Sequence, residues 1–381
     1  MFSVPYRQLL RQPAAPLGVD IDETCIRIAQ LTAPGQHALA RVSAQWMLPL
    51  SPLRPDGAVH HAGLPAVIAA LRGLIKSARI PTGKCVVTLP ASGALTEMAQ
   101  LPPIADHELE ETVTWEAVDR FGLDRSDVVS GHLPLNADRP GPSRDLLLVA
   151  VRRATTIAIA DMLVRCGLEP MRMELAPLAV MRLCMREGVE RQALLHIERS
   201  RACIMVMQDG NVRYQRSFGW HPAHISAIEA LAGLGLGDTD DGAIPLVGDD
   251  AMAHTPQAMR WREVAEEVLA SLRHAERRAA GCWPERIWVS GSGAAEPGLC
   301  EAVAAVCGTE TGPIGTCPRI TWPEGDAPES RALWAGAVAA GVAAREASQA
   351  TARKTSRESA RDSGREDASA APATATTRRV A

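Results

Sequence analysis

The sequence predicts an α/β protein of two duplicated lobes, with a small α+β subdomain inserted into the first lobe. Three observations predict this fold class. A strand–turn–strand–turn–strand pattern begins at Leu17, and the same pattern returns at Ala193. Between them, the segment from about 91 to 145 interrupts the alternation of strands and helices. A chain of 381 residues with 46% hydrophobic content is long enough to bury more than one core.

The first pattern begins with the stretch from Leu17 to Leu31, which reads LGVDIDETCIRIAQL. Val19 follows the two-residue period of a strand, with Asp20 and Asp22 on the opposite face. An acidic turn then leads into a second alternating run, and a third run from Ala38 to Trp46 follows a cluster of Pro and Gly. Three strands joined by two turns are therefore expected.

The second pattern begins with the apolar strand from Ala193 to Glu198 and continues through 202–207. Asp209-Gly210 is the turn signal of a β-hairpin and precedes a third strand from Val212 to Phe218. When the two patterns are aligned, Asp20 falls on His196, Asp22 on Glu198 and Thr24 on Ser200, with one extra residue in the second turn. A repeat this long is not a solenoid unit and indicates two halves that face each other across a cleft.

The helices and further strands predicted after each repeat fit two α/β halves. Helices are predicted over 64–78, 154–166, 173–187, 222–234, 260–280, 297–306 and 330–345, and further strands over 84–89, 146–151 and 286–289. The inserted subdomain is predicted to have its own helix, capped by Asp106 and ended by Gly122. The lobes are placed at 17–190 and 191–345, between a poorly ordered leader over 1–16 and a disordered tail over 346–381.

Several short motifs, in their order along the chain, resemble the actin-like ATPase superfamily and, within it, the PilM-type proteins of type IV pilus assembly and their relatives in mannose-sensitive pilus biogenesis. The strand that reads V-D-I before a turn is the first, and Ser290-Gly291-Ser292-Gly293 is the last. Further matches are Val86–Pro90, Leu101-Pro102, Asp106–Glu111, Leu146–Val151 and Cys166–Pro170. The resemblance covers Leu17 to Arg345 and implies a ribonuclease H-like fold of two lobes.

The resemblance implies a cleft where two hairpin turns hold ATP and an aspartate positions Mg²⁺ through water. The residues that it places at this cleft are Asp20, Asp22, Thr24, Cys25, Ser200, Arg201, Gly291, Ser292 and Gly293. The family pattern has Asp-x-Gly-x-x-Ser/Thr in both turns, whereas here Asp22 and Glu198 replace the glycines. A strand-to-helix turn also needs glycine for structural reasons, so Gly291 and Gly293 have two interpretations.

The departures from the pattern weaken the predicted nucleotide site. Asp22, Glu23 and Glu198 would bring up to three carboxylates beside a triphosphate, and Arg201 would neutralise only part of that charge. At about 4 Å, each such contact costs on the order of a few kcal/mol even with surface-like screening. ATP and Mg²⁺ binding is therefore expected to be weakened, and ATP hydrolysis is not expected.

The leading hypothesis is a scaffold rather than an enzyme, with no catalytic residues and no metal ligands. The resemblance implies a cytoplasmic protein, peripheral at the inner membrane, that binds the cytoplasmic tail of a PilN-like partner between the first lobe and its inserted subdomain. The candidate partner-binding residues are Leu109, Val113, Trp115 and Phe121. Alternatively, Val113 and Phe121 are simply core residues, which leaves Trp115 as the exposed one.

Two other hypotheses stay open at this stage. One is an active ATPase or sugar kinase of the same superfamily, which would need an intact phosphate turn and a catalytic aspartate near the hinge. The other is a stand-alone actin-like polymer-former, which would need a nucleotide cycle. The sequence shows neither of the features that a kinase requires.

Composition excludes other classes. A net charge of −4 gives no electrostatic reason to expect nucleic-acid or general membrane binding. The nine cysteines are scattered without a C-x-x-C pair, which predicts reduced core thiols. The histidines lack spaced Cys or carboxylate partners that would complete a metal site. No apolar run reaches the roughly 18 residues that a bilayer span needs.

Overall fold

Two sheets with the same connectivity form the framework of the chain in the computed structural model. The structure describes residues 16–22, 25–31, 38–47, 52–54, 58–80, 82–135, 137–138, 143–185, 189–199, 201–219, 256–314, 320–321 and 332–347. In chain order the strands are β1 (Leu17–Ile21), β2 (Cys25–Leu31), β3 (Ala38–Met47), β4 (Gly83–Leu89), β5 (Leu95–Leu101), β6 (Val128–Pro134), β7 (Arg144–Arg152), β8 (Leu168–Leu175), β9 (Arg191–Ile197), β10 (Arg201–Gln208), β11 (Asn211–Gly219), β12 (Arg286–Ser290), β13 (Glu310–Pro313) and β14 (Ile320–Thr321). The helices are α1 (Leu64–Ser77), α2 (Asp106–Phe121), α3 (Arg153–Arg165), α4 (Ala176–Cys184), α5 (Pro256–Arg278), α6 (Leu299–Cys307) and α7 (335–347).

The sheet orders establish the duplication. The first sheet runs β14-β3-β2-β1-β4-β8 and the second runs β11-β10-β9-β12-β13. In the first, β1 is antiparallel to β2 and parallel to β4; in the second, β9 is antiparallel to β10 and parallel to β12. The prediction of two duplicated α/β lobes is therefore confirmed. The Asp209-Gly210 hairpin is confirmed as well, because both residues have positive φ (52° and 72°), as a type I′ turn requires.

The inserted subdomain follows β4 and consists of a three-stranded antiparallel sheet and one helix. Its strand order is β5-β7-β6, with α2 packed against one face. Gly122 ends α2 in the left-handed conformation, with φ of 61°, as predicted. The predicted cap at Asp106 is wrong: the N-cap is Ala105, and Asp106 occupies the first helical turn, where its charge favours the helix dipole.

The helices bury the faces that their periodicity predicts. The apolar stripe of α5 is formed by Trp261, Val264, Val268, Leu272 and Ala275, and all five side chains are buried in the core of the second lobe. In the first lobe, Val67, Ile68, Leu71 and Ile75 of α1 pack against the sheet. None of the described helices is both long and apolar enough to cross a membrane.

Two segments differ from the sequence-based prediction. The inserted subdomain was expected to end at about residue 145, but it extends to Arg152 because β7 is the middle strand of its sheet. A helix was expected over 173–187, but Leu168–Leu175 is a strand, and only Ala176–Cys184 is helical. The strand forms because β8 completes the first sheet beside β4, so parallel pairing outweighs the local helical pattern. The helix predicted over 222–234 and the reduced lobe predicted over 234–256 lie outside the described residues, as do the leader and most of the tail.

The last helix returns from the second lobe to the first. Ala337, Val338 and Ala339 belong to a core cluster that contains residues of both lobes, whereas Ala340, Ala343 and Ala344 surround Val86 of β4. Gly18 allows α7 to lie directly on β1, because a Cβ there would be 2.0 Å from the carbonyl oxygen of Ala337. This crossing brings the start of α7 to the end of β1, where the predicted cleft lies.

Candidate functional site

The two hairpin turns that follow β1 and β9 are closed by equivalent backbone hydrogen bonds. The Asp22 N–H donates to the Cys25 carbonyl at 2.9 Å, and the Glu198 N–H donates to the Arg201 carbonyl at 2.9 Å. Both turns therefore close over the same number of residues. The extra residue that the sequence alignment placed in the second turn is wrong. Thr24 and Ser200, the hydroxyls predicted for these turns, lie outside the described residues.

The last polar residue of each first strand bonds to a hydroxyl on the neighbouring parallel strand. Thr88 Oγ1 of β4 donates to Asp20 Oδ1 at 2.6 Å. In the second lobe, His196 Nδ1 and Ser290 Oγ of β12 are 2.8 Å apart. Asp20 and Thr88 are register partners, and so are His196 and Ser290. The duplication thus extends to the side chains that support each turn.

Arg27 neutralises the acidic turn of the first lobe. Its Nη1 donates to Asp20 Oδ2 and to Asp22 Oδ2, each at 3.2 Å, and all three side chains are buried. Burial alone would lower the pKa of Arg27, but the two carboxylates outweigh it and raise that pKa. Sequence reasoning missed this residue. The available signal was a cation in the middle of a short apolar strand, because a buried arginine requires a partner.

Glu198 bonds across the cleft to the first lobe. Its Oε1 accepts the N–H of Ala91 at 2.6 Å, and its Oε2 accepts the N–H of Ser92 at 3.3 Å. His196 Nε2 lies 3.3 Å from Oε1, and the Glu198 side chain is only 3% exposed. The acidic residue that stands where the family pattern has glycine is therefore bound by protein groups.

Burial dominates the electrostatics of these groups. It raises the pKa of Asp20, against the opposing effect of Arg27, and raises the pKa of Glu198, against the opposing effect of His196. Burial also raises the pKa of Cys25 to about 12. Cys25 is thus a neutral thiol, with Sγ 3.7 Å from Asp22 Oδ2, and lacks the thiolate character of a nucleophile.

The space between the two turns is nearly filled. The remaining cavity, lined by Asp20, Asp22, Arg27, His196 and Glu198 among others, has a volume of about 10 Å³. Roughly that volume is needed to hold one water molecule. Gly336 of α7 also packs on Asp20, since a Cβ there would be 2.4 Å from Oδ1. The residues present in this arrangement do not fit a triphosphate with its Mg²⁺.

The glycine turn after β12 has a structural explanation. Gly291 has φ of 87°, and a Cβ on it would be 2.3 Å from the Ile197 carbonyl oxygen. A Cβ on Gly293 would be 2.3 Å from Ile197 Cγ2. Both glycines are therefore needed for the turn to pack on the end of β9, while Ser292 between them is half-buried. Arg201 Nη1 lies close by and donates to the Ala94 carbonyl at 3.5 Å.

The structure separates the four candidate partner-binding residues. Val113 is buried in the core of the subdomain, and Leu109 and Phe121 pack against the same core. Trp115 is 50% exposed, and the Arg125 guanidinium lies 4.6 Å from the centroid of its ring. The core interpretation of Val113 and Phe121 therefore matches their positions, and partner binding at Trp115 stays a prediction.

A groove of about 580 Å³ lies between the first lobe and the inserted subdomain. Its walls are mostly apolar and include Val129, Leu133, Val151, Met173, Leu178 and Met181. The hairpin turn of the second lobe at 210–212 also lines it. The volume is typical of a site for a small ligand or a short peptide. Sequence patterns could not reveal these residues, because the walls come from segments far apart in the chain.

One side of the groove is formed by an edge strand. Residues 129–134 of β6 line it consecutively, and among the described strands β6 pairs only with β7. Near this wall Glu174, a nearly buried carboxylate, pairs with Arg182 and with Arg172, whose Nε lies 2.6 Å from Glu174 Oε1. The groove thus combines an apolar surface with a strand edge and a cluster of fixed charges.

Comparison with known proteins identifies the fold. No family model and no curated protein matches the chain. Among solved structures, it is similar to one titled "PilM-PilN type IV pilus biogenesis complex", with a TM-score of 0.68 and 18% identity over 87% of this chain and 99% of that chain. The chain has the mixed α/β actin-like ATPase fold with several sheets.

Two further solved structures match less closely. One is the ethanolamine utilization protein EutJ from Carboxydothermus hydrogenoformans, with a TM-score of 0.46 and 14% identity over 88% of this chain and 93% of that chain. The other is the cytoplasmic domain of EpsL, an inner membrane component of the type II secretion system of Vibrio cholerae, with a TM-score of 0.40 and 14% identity over 84% and 94%. No functional argument is drawn from either.

Proposed function

We propose that this protein is a cytoplasmic scaffold of a type IV pilus or related secretion platform that binds the cytoplasmic tail of a PilN-like inner-membrane protein. The observation that carries the proposal is the apolar groove beside the edge strand β6. The similarity in fold to a chain from a PilM-PilN complex suggests the class of partner. In this proposal the protein is peripheral at the inner membrane through that partner.

The chemistry of the groove favours an extended peptide. An extended chain can add to the edge of β6, which is unpaired among the described strands, by main-chain hydrogen bonds, while every second side chain enters an apolar pocket. Burying a large aliphatic side chain in such a pocket contributes about 1.5–3 kcal/mol. The tail is therefore expected to carry alternate apolar residues in a short extended stretch.

The state of the cleft favours a scaffold over an enzyme. Buried carboxylates occupy both turns, Arg27 and backbone N–H groups already bind them, and about 10 Å³ of space remains. A triphosphate would have to displace these contacts and approach like charges in a poorly solvated site. We therefore propose that nucleotide binding is weak and that ATP hydrolysis is not the function of this protein.

The groove is tested by comparing two Val→Asp variants for binding of a fluorescent peptide copied from the cytoplasmic tail of the PilN-like protein encoded nearby. Val129 lines the groove and is 38% exposed, whereas Val164 on α3 is 59% exposed and does not line it. We expect Val129→Asp to weaken binding at least tenfold, because a carboxylate in an apolar pocket is poorly solvated. Val164→Asp should bind like the unmodified chain.

Two results would contradict the proposal. Loss of binding in Trp115→Ala together with normal binding in Val129→Asp would move the partner surface from the groove to α2. A strong thermal stabilisation by Mg-ATP, without any stabilisation by the tail peptide, would instead favour an active ATPase or kinase.

A further inference from the structure

Along the cleft, side chains of the second lobe contact a short segment of the first lobe. This segment, residues 91–96, follows β4 and leads into β5. Glu198 accepts from the N–H groups of Ala91 and Ser92, Arg201 donates to the Ala94 carbonyl at 3.5 Å, and Gln215 Nε2 donates to Thr96 Oγ1 at 3.3 Å. We call the contacts made by these three side chains, Glu198, Arg201 and Gln215, the cleft seam. They come from β10, β11 and the turn after β9.

Glu198 makes the strongest contact of the cleft seam. A carboxylate that accepts two backbone N–H groups forms charge-assisted hydrogen bonds, which are roughly twice as strong as neutral ones. Both N–H groups belong to the buried turn 91–93. Moving the lobes apart would break their bonds to Glu198, which is costly wherever water could not replace the lost partner. The titratable groups around Glu198 are His196, Asp22 and, more distantly, the Asp20–Arg27 pair.

We infer that Glu198 is an intramolecular latch that holds the two lobes closed in the absence of nucleotide. Its carboxylate supplies from within the chain the negative charge that joins the turn of one lobe to the backbone N–H groups of the other. The latch lies in the cleft and not in the groove, so a test of the latch does not depend on whether the groove binds a tail peptide. In this protein the orientation of the lobes is then set by the fold itself.

Amide hydrogen exchange of Glu198→Gln tests the latch. Glutamine keeps the size of the side chain but has no charge, and an NH₂ donor replaces one of the two oxygens, so it cannot accept the two N–H groups on separate oxygens as the carboxylate does. We expect exchange at Ala91 and Ser92 to become at least tenfold faster. The N–H groups of Gly93 and Ala94, which bond to Pro90 and Ala91 within the turn, are internal references.

The matched control is Glu285→Gln. Glu285 also accepts hydrogen bonds, in this case from the Arg191 side chain, but both residues lie in the second lobe and their side chains are 48% and 39% exposed. This variant should leave exchange at residues 91 and 92 unchanged. Equal exchange rates at these positions in Glu198→Gln and in the unmodified chain would overturn the latch.

A second variant removes the donor instead of the acceptor. Ala91→Pro deletes one N–H at the first position of a helical turn, where proline is well tolerated. The preceding residue, Pro90, has an extended backbone with ψ of 155°, which is compatible with a following proline. We expect faster exchange at Ser92 here as well. Unchanged exchange at Ser92 in both variants would show that the lobes are held by other contacts and that Glu198 is not a latch.

Discussion

The two hairpin turns of the cleft have one topology but two ways of stabilising buried charge. In the first lobe, Asp20 and Asp22 are neutralised by Arg27, the residue opposite Asp20 on the next strand. In the second lobe, the residue opposite His196 is Cys203, which carries no positive charge. Glu198 therefore obtains its N–H partners from the other side of the cleft.

The difference shows how a duplicated fold separates two roles. The first turn is complete within its own lobe, so its charges stabilise that lobe. The second turn is incomplete without the first lobe, so its charge stabilises the joint between the lobes. One side chain on a middle strand, arginine in one copy and cysteine in the other, decides between the two arrangements. Predictions about this pair of sites follow, in order of expected size.

Removing the cation of the first turn should have the largest effect. Arg27→Met removes the arginine that pairs with buried Asp20 and Asp22, which costs about 3–5 kcal/mol of the free energy of unfolding. Chemical denaturation measures this loss. The control, at the equivalent position of the second lobe, is Cys203→Ala, where only a small buried group is lost.

The rescue variant sharpens this test. Adding Asp20→Asn and Asp22→Asn to Arg27→Met removes the two buried carboxylates and should recover a large part of the stability. A loss below about 1 kcal/mol in Arg27→Met would show that the two carboxylates are stabilised mainly by other groups.

Removing the supporting hydroxyls should have an intermediate and unequal effect. Thr88→Val deletes a bond to a carboxylate, which is expected to cost about 1.5–3 kcal/mol. Ser290→Ala deletes a bond to the His196 ring in the second lobe, for about 0.5–1.5 kcal/mol. The measurement is the free energy of unfolding of each variant at neutral pH. Equal losses would indicate that charge at Asp20 does not strengthen its hydrogen bond.

Replacing the buried acids should change how steeply the free energy of unfolding varies with pH. Burial raises the folded pKa of Asp20 and Glu198 above their unfolded values of 3.8 and 4.5. The stability contributed by such groups is complete below the unfolded values and is lost as pH rises through the folded values. From about pH 4 upward, the stability difference between the unmodified chain and each variant, Asp20→Asn or Glu198→Gln, should therefore shift in favour of the variant as pH rises.

Denaturation midpoints of both variants and of the unmodified chain, measured over that pH range, provide the test. If Asp20→Asn or Glu198→Gln instead loses stability relative to the unmodified chain as pH rises, hydrogen bonding to the carboxylate outweighs its desolvation at that site.

Most of the framework followed from periodicity. The strands from Leu17 and from Ala193, the Asp209-Gly210 turn and the stripe of α5 are all local patterns, and the described structure contains each of them. Strand β8 was missed because its residues, LEPMRMEL, alternate weakly and precede a true helix. Its conformation depends on pairing with β4, which is not encoded in the segment itself.

The candidate site was only partly predictable. Asp20, Asp22, Gly291 and Gly293 were located through the repeat and the glycine turn, and the structure brings these residues to one cleft. Arg27, Thr88 and the N–H groups of Ala91 and Ser92 were not anticipated. Their roles depend on strand register and on the contact between lobes rather than on spacing in the chain.

The sequence by itself determined that the chain folds as two α/β copies and that both phosphate-type turns carry acids instead of glycines. These are properties of local pattern, because the period of apolar residues fixes the strands and residue identity fixes the charge. Only the tertiary structure decided how the buried acids are satisfied and where an apolar groove remains. The reason is physical: burial and pairing are properties of groups that meet in space, and most of these groups lie far apart along the chain.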